Sequence, residues 1–466
     1  MCFTVTWKGD RTMIKRIVQT TLVLAVSAAF ILPASALAAY DHTGIQGPFA
    51  TGPDVTRACL KCHDDEAMDV MKTSHWTWTV DQEVPGKGKI ERGKKNVINN
   101  FCISVSSNWP RCTSCHIGYG WKDGSFDFSD KTKIDCLVCH DTTGTYKKIP
   151  TGAGLPKADV DLLNVAKNVG IPSRVNCGNC HFYGGGGDRV KHGDLDSSLV
   201  DPAKSLDVHM SSDGEGMNCQ SCHEFNDHQL KGNALVVSPG GFNHLDCTSC
   251  HDAQPHSQSR INEHTTKVAC QTCHIPSFAR EFPTKVYWDW STAGEDRDPE
   301  SDEYGMPTYH KKKGSFRWQK DIVPAYAWYN GQAGVYTLGD RIDPNEVTPL
   351  SWPVGKKKDK DSKIYPFKIM EGRQQYDVKN RTLIVPKLFG KGGYWKTYDW
   401  NQTAMLGMKS VGLPYSGEYG WTNTIMYWKI NHMVAPAEDA LDCLDCHGDQ
   451  QRLDWKALGY KKDPMN

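Results

Sequence analysis

A mainly α fold with extensive irregular loops is what this sequence predicts, and three observations predict it. The pentapeptide Cys-x-x-Cys-His recurs eight times in 466 residues. The chain is only 39% hydrophobic, with a mean hydropathy of -0.55, too polar for several self-sufficient cores at this length. Helix signals are short and punctuated by 42 Gly and 24 Pro. Asp64 to Ser74 reads as a short helix leading to His75. Pro436 opens a helical run over Ala437 to His447, with Glu438 and Asp439 in its first turn and Gly448 past its end.

The pentapeptides begin at Cys59, Cys112, Cys136, Cys177, Cys219, Cys247, Cys270 and Cys443. Their second cysteines are Cys62, Cys115, Cys139, Cys180, Cys222, Cys250, Cys273 and Cys446, and they end in His63, His116, His140, His181, His223, His251, His274 and His447. Two thiols three residues apart reach the two vinyl groups of one haem, while the adjoining His places an imidazole under the iron. Composition alone predicts on the order of 0.03 such pentapeptides. Zinc would need two further ligands at each site, and a disulfide framework belongs to smaller domains starved of core. The fold expected is therefore a multihaem cytochrome c fold wrapped around eight covalently bound haem c groups, with porphyrin faces replacing part of the polypeptide interior.

Formal charge is balanced, with 54 basic and 54 acidic residues, which argues against nucleic acid as a partner. The first residues read as an export signal whose true start is Met13: Lys15 and Arg16 supply the positive region, Ile17 to Leu32 the apolar stretch, and Ala36-Leu37-Ala38 the cleavage site. That run is shorter than the roughly 20 residues a membrane span needs, and no later segment is apolar enough. The mature product is expected in the periplasm without a transmembrane span. Four segments follow: a signal peptide at 1–38, a haem-dense domain at 39–274 with seven motifs, a haem-poor aromatic-rich cap at 275–442, and the eighth motif with the C-terminal tail at 443–466. The cap, crowded with Tyr287, Trp288, Trp290, Tyr326, Trp328, Tyr329, Tyr394, Trp395 and Trp400, is expected to pack over the haems. Gly184 to Gly187 lacks a following Gly-Lys-Ser/Thr, so it reads as backbone that approaches a haem closely.

Haem iron takes two axial ligands, and each motif supplies one. Distal candidates are His75, His209, His228, His244, His256, His264 and His432, with His42 and His192 in reserve; His310, beside three lysines, reads as a surface residue. Of 18 cysteines, only Cys2 and Cys102 fall outside the motifs. Cys2 leaves with the signal. Cys102 is then an odd thiol in an oxidising compartment, ten residues before Cys112, where it could stand over the second haem. A thiolate there can attack sulfur–sulfur bonds or carry a modified sulfur.

Several stretches are more specific than the motifs. Asn100-Phe101-Cys102 ahead of Arg111-Cys112-Thr113-Ser114-Cys115-His116, Phe182 to Asp194, Tyr365-Pro366-Phe367-Lys368, and Ile430-Asn431-His432-Met433 make nearly the whole mature chain resemble the octahaem tetrathionate reductases, relatives of the hydroxylamine oxidoreductases and pentahaem nitrite reductases. The resemblance implies one catalytic haem with a lysine amine as axial ligand, bis-His coordination at the others, and a cysteine near the catalytic iron. Carried over by position, the lysine is Lys191, the cysteine Cys102, and the catalytic haem is held by Cys112 and Cys115 with His116 as its motif histidine.

The expected function is reduction of a small inorganic anion, tetrathionate, to thiosulfate at the lysine-ligated haem, with Lys191, Arg189 and Arg111 supplying positive field. Electrons would come from a periplasmic donor such as a small cytochrome or a quinol dehydrogenase. The alternatives are a nitrite or hydroxylamine reductase, disfavoured by the lack of any Cys-x-x-Cys-Lys motif, and a non-catalytic electron conduit.

Overall fold

The structure, a computed structural model, describes residues 41–101, 103–232, 245–449 and 452–465. The expected signal peptide, Cys102 and His244 lie outside them.

Helices in the motif-rich part are brief: α1 (Gly52–Cys59), α2 (Asp64–Met71), α3 (Ser74–Thr77), α4 (Leu137–His140), α5 (Leu162–Lys167), α6 (Arg174–His181), α7 (Cys219–Cys222), α8 (Ser259–His264) and α9 (Cys270–His274). Their starts follow from sequence chemistry. The Asp54 carboxylate accepts from the Thr51 backbone N–H at 2.8 Å, and Asn176 does the same for Ser173 at 2.8 Å, in capping boxes that open α1 and α6. Each motif lies on or abuts a single helical turn, which sets its two thiols on one side of the chain. Later come α10 (Tyr394–Thr397), α11 (Trp400–Ser410) and α12 (Cys443–His447). The helix expected over Ala437 to His447 divides into a 3-10 turn at Ala437–Asp439 and α12. Asp442 is the cause, because its carboxylate accepts from the N–H groups of Leu444 (2.8 Å) and Asp445 (3.1 Å) and starts a new helix.

The mainly α expectation needs correction. Besides the hairpins β1 (Val80–Val84) with β2 (Gly88–Arg92) and β3 (Phe225–Asn226) with β4 (Gln229–Leu230), a nine-stranded mixed sheet occupies the aromatic-rich segment. Its strands are β5 (Thr284–Asp289), β6 (Tyr309–His310), β7 (Gly314–Gln319), β8 (Ala325–Tyr329), β9 (Gln332–Val335), β10 (Thr348–Val354), β11 (Lys363–Asp377), β12 (Thr382–Leu383) and β13 (Tyr419–Lys429). Strand order is β6-β7-β5-β11-β13-β10-β9, with β8 and β12 also paired to β11. The 15-residue β11 is the spine: it runs antiparallel to β13 from Phe367 opposite Lys429 to Asp377 opposite Tyr419, and parallel to β5 at Glu371 to Arg373. Aromatic and β-branched residues suit a pleated, half-buried surface. In β13, Thr422, Thr424, Met426 and Trp428 are buried while the residues between them are not.

The largest apolar core packs this sheet and α11 against residues from the motif-rich half, namely Ile98, Phe101, Ile103 and Val190. Elsewhere in that half the cores are small satellites, such as Val55, Leu137, Tyr146 and Val165 around α1, α4 and α5. Polar chemistry supplements them. The buried Asp135 carboxylate accepts from the Tyr119 and Tyr146 hydroxyls, each at 2.8 Å, and pairs with Lys148 at 2.9 Å. Lys148 also donates to the His116 carbonyl at 2.6 Å, tying the second motif to the third. A buried pair of this kind stabilises only while all its partners are present.

α11 lies flush on the chain at 385–387, where the Lys387 N–H donates to the Thr403 carbonyl at 2.9 Å. A Cβ on Gly407 would sit 1.9 Å from the Val385 carbonyl oxygen. Gly407→Ala is therefore expected to destabilise the protein by about 1–3 kcal/mol through overpacking, or more if the helix cannot shift. A lower thermal unfolding midpoint in the haem-loaded protein is the measurement that checks this.

Candidate haem cavity and reactive site

A single connected cavity of about 3910 Å³ runs through the motif-rich half, roughly four times the ~1,000 Å³ upper end of ordinary small-molecule sites. Its walls carry most of the motif cysteines and histidines, with Lys191, Arg111, Phe101, Trp288, Trp290 and Trp428 at one end of the sequence-predicted site. Among the described residues, no three or more His, Cys, Asp or Glu side chains converge on a single point as a directly protein-bound metal would require.

Histidines instead face each other in pairs. Ring centroids are 6.0 Å apart for His42 and His63, 6.1 Å for His75 and His181, and 6.5 Å for His228 and His140. The remaining pairs are His432 with His223 (6.2 Å), His209 with His251 (6.0 Å), His256 with His274 (6.0 Å) and His264 with His447 (6.3 Å). Two metal–imidazole bonds of about 2 Å, plus about 1.1 Å from each nitrogen to its ring centre, span about 6.2 Å. The pairs are thus spaced for one iron between them. Many of the rings are also held from behind through Nδ1, which leaves Nε2 directed inward. His140 reaches the Gly170 carbonyl (2.9 Å), His223 that of Lys231 (2.9 Å) and His264 that of Arg260 (2.8 Å). His432 and His447 reach the carboxylates of Asp194 (3.1 Å) and Asp463 (2.6 Å).

Thiols of different motifs also approach one another. Cys59 lies within hydrogen-bonding reach of Cys136, Cys115 of Cys180, Cys177 of Cys219, and Cys247 of Cys270. Weaker electrostatic contacts join Cys139 to Cys177, Cys222 to Cys250, and Cys273 to Cys446. The motifs therefore neighbour each other in the order first, third, fourth, fifth, sixth, seventh, eighth, with the second branching from the fourth.

Of the distal candidates, six of the favoured histidines form pairs and His244 lies outside the described residues. His42, held in reserve, is paired too. His192 packs against Trp428 at 5.2 Å and faces no second histidine, and His310 is exposed on β6. The signal for His42 was weak because it precedes the first motif by many residues and shows no local helix pattern.

His116 differs from the other seven motif histidines. It is fully buried, its Nε2 is 2.6 Å from the Trp76 carbonyl, and its ring is boxed by Trp121 (4.7 Å), Trp78 (5.2 Å), Trp76 (5.4 Å), Phe126 (5.6 Å) and Phe128 (6.0 Å). Burial pushes its pKa down to about 3, so it is neutral and donates to Trp76. Gly118 makes room, since a Cβ there would lie 2.7 Å from the imidazole.

Lys191 lies on the cavity wall with Nζ 4.2 Å from the Trp428 ring centroid. The glycine run forms a shelf under it: a Cβ on Gly184 or Gly185 would come within 3.1 Å of its side chain, and Gly185 has φ +83°. Lys191 acts electrostatically on His181, whose neighbour Cys180 is the residue that reaches Cys115. Arg111 lines the cavity, stacked 5.3 Å over Trp395. Arg189 does not; it sits 4.0 Å over Phe282 and 3.7 Å from Asp188.

A family model described as bacterial cytochrome c matches residues 285–450. A curated protein of Archaeoglobus fulgidus described as uncharacterized is 24% identical over 230 residues, 39% of this chain and 76% of its own length. A crystal structure described as octahaem cytochrome c from Shewanella oneidensis is 57% identical and superimposes with a TM-score of 0.88, covering 92% of this chain and 98% of that one. At that identity over nearly the full length of both, the chain belongs to the octahaem c-type cytochromes, the family of the octahaem tetrathionate reductases.

Proposed function

We propose that this chain is a periplasmic reductase that holds eight haem c groups and reduces tetrathionate to thiosulfate at one of them, the haem attached to Cys112 and Cys115. The observation that carries the reading is the asymmetry among the motif histidines. Seven face a second histidine across the span of one iron, whereas His116 is closed in an aromatic box with its Nε2 on the Trp76 carbonyl. Lys191 is the amine that the family resemblance assigns to that eighth centre, and it acts on His181, whose neighbour Cys180 reaches Cys115. Bound haem supplies one-electron storage at seven saturated irons and, at the lysine-ligated one, a position that a substrate can reach. Among the described residues no helix is long and apolar enough to cross a membrane.

The remaining chemistry belongs to the chain's own residues. The Lys191 amine must be neutral to donate its lone pair, and removing a proton from a group of pKa about 10.4 costs roughly 4–5 kcal/mol at pH 7. Apolar surroundings and the metal offset that cost. Arg111 on the cavity wall provides charge for a dianion without entering the coordination set. Phe101, Trp288, Trp290 and Trp428 make the neighbouring wall apolar, which strengthens that attraction. One tetrathionate dianion and two electrons give two thiosulfate dianions, with only the central sulfur–sulfur bond broken and no proton required. Cys102 as a thiolate would attack that bond, releasing one thiosulfate and keeping the other as a cysteinyl thiosulfate, which the two electrons cleave to thiolate and the second thiosulfate. Motif order from thiol neighbours gives the electrons a route, entering the second motif from the fourth.

Steady-state assays with reduced viologen against tetrathionate, nitrite and hydroxylamine in parallel are expected to favour tetrathionate in kcat/KM; preference for either nitrogen compound, or no turnover at all, overturns the substrate. Lys191→Ala should lower tetrathionate kcat by at least about 100-fold while leaving the seven bis-His spectra intact. Cys102→Ser should lower the same rate by about 100-fold, and an unchanged rate removes the cysteine from the reaction. His42→Met is expected to raise the midpoint potential of one haem alone, because a thioether ligand favours the reduced iron; redox titration followed by optical spectroscopy reads the shift.

A further inference from the structure

The loop that carries Lys191 is held almost residue by residue by the haem-poor segment. Thr284, at the start of β5, brings its hydroxyl within 2.6 Å of the Arg189 carbonyl and 3.0 Å of the His192 carbonyl. Lys368 on β11 donates to the carbonyls of Val190 (3.3 Å) and Lys191 (3.1 Å) and to the Thr284 hydroxyl (2.6 Å). The Ala279 N–H donates to the Gly193 carbonyl at 2.6 Å, and Gly193 lies so close to Phe278 that a Cβ would fall 2.4 Å from the ring. Asp194 accepts from the backbone N–H groups of Asn431 (2.8 Å) and His432 (3.1 Å). Arg189 is held at φ +66°, a conformation that an L-residue keeps only when its surroundings enforce it.

Lys368 is an unusual residue to spend on loop packing. It and Thr284 are fully buried, and no carboxylate lies in direct contact with the ammonium; Asp194 and Asp196 act on it only through space. An ammonium has three donors, and here all three are used, two on the peptide groups flanking and including Lys191 and one on the hydroxyl that braces the same loop. An apolar side chain would fill the volume at lower cost. What it could not do is fix two consecutive carbonyls in direction, and that direction sets where the Lys191 side chain leaves the backbone.

We infer that Lys368 and Thr284 are positioning residues that set the reach and angle of the Lys191 amine, so that the β-sheet of the haem-poor segment serves as a splint for the reactive centre. This rests on the reading of Lys191 as an iron ligand. The sheet contributes no haem motif between β5 and β13, yet two of its fully buried polar groups, Thr284 and Lys368, both act on the loop at 189–192.

The test uses fully haem-loaded, oxidised protein and its electron-paramagnetic and near-infrared magnetic circular dichroism spectra, in which an amine-ligated iron is separable from bis-imidazole irons. Lys368→Met and Thr284→Val are each expected to shift or split the signal of the amine-ligated centre, leave the bis-His signals in place, and lower tetrathionate kcat by about tenfold. Thr284→Ser, which keeps the hydroxyl, should retain the signal. An unaltered amine-centre signal in Lys368→Met and Thr284→Val, with Lys191→Ala abolishing it, overturns the splint and leaves the ligand standing. A Lys191→Ala spectrum identical to the parent overturns the ligand reading instead. Should Lys368→Met fail to load haem, the Thr284 pair decides alone, since valine keeps the shape of threonine without its hydroxyl and serine keeps the hydroxyl without the methyl.

Discussion

The structure depends on one geometric requirement: two imidazoles must face each other about 6 Å apart, seven times over, through a space the polypeptide itself does not fill. Long helices cannot satisfy it, because each haem needs ligands from different parts of the chain arriving at both of its faces. The chain therefore turns every few residues, starting short helices with local caps such as Thr51 with Asp54 and Ser173 with Asn176. Cores of that half stay small because large apolar faces are supplied from outside the sequence, and side-chain networks such as Asp135 with Tyr119, Tyr146 and Lys148 do some of the tying that apolar packing would do elsewhere.

The same requirement explains how the electronic properties can vary among centres that share a motif. A histidine whose Nδ1 donates to a peptide carbonyl, as in His140, is a weaker donor to iron than one backed by a carboxylate, as in His432 with the buried Asp194. Stronger donation favours the oxidised metal. On the proposed ligation, such second partners would grade the array even where first ligands are identical.

The eight Cys-x-x-Cys-His motifs are legible in the sequence, since each is local and complete within five residues. The glycine run, expected to approach a haem, lies against the Lys191 side chain, a neighbour the sequence did not indicate. The sheet was not legible. In β13 the alternation of Thr422, Thr424, Met426 and Trp428 is hidden because Ile425 and Tyr427, on the other face, are also apolar and half-buried. A strand covered on both sides loses its period-2 signature. Nor could spacing reveal which motif histidine is different: nothing within Cys112 to His116 distinguishes it, and the aromatic box combines Trp121, Phe126 and Phe128, just after the motif, with Trp76 and Trp78, which only folding brings to it.

A reactive centre in such a molecule has an opposite need to its neighbours. Imidazole pairs align readily, because each ring is short and stiff and several are held from behind by a hydrogen bond. A lysine is long and has four rotatable bonds, so its amine is placed only if the backbone beneath it is immobile and its stem is confined. The confinement is visible in Gly184 and Gly185, which bring peptide groups against the stem, and in the Trp428 ring beneath the ammonium. The immobility comes from β5 and β11, through Thr284 and Lys368. On the proposed ligation, an aromatic-rich segment without haem motifs suits a flexible ligand, since a close-packed sheet confines a loop more tightly than a loop-rich scaffold does.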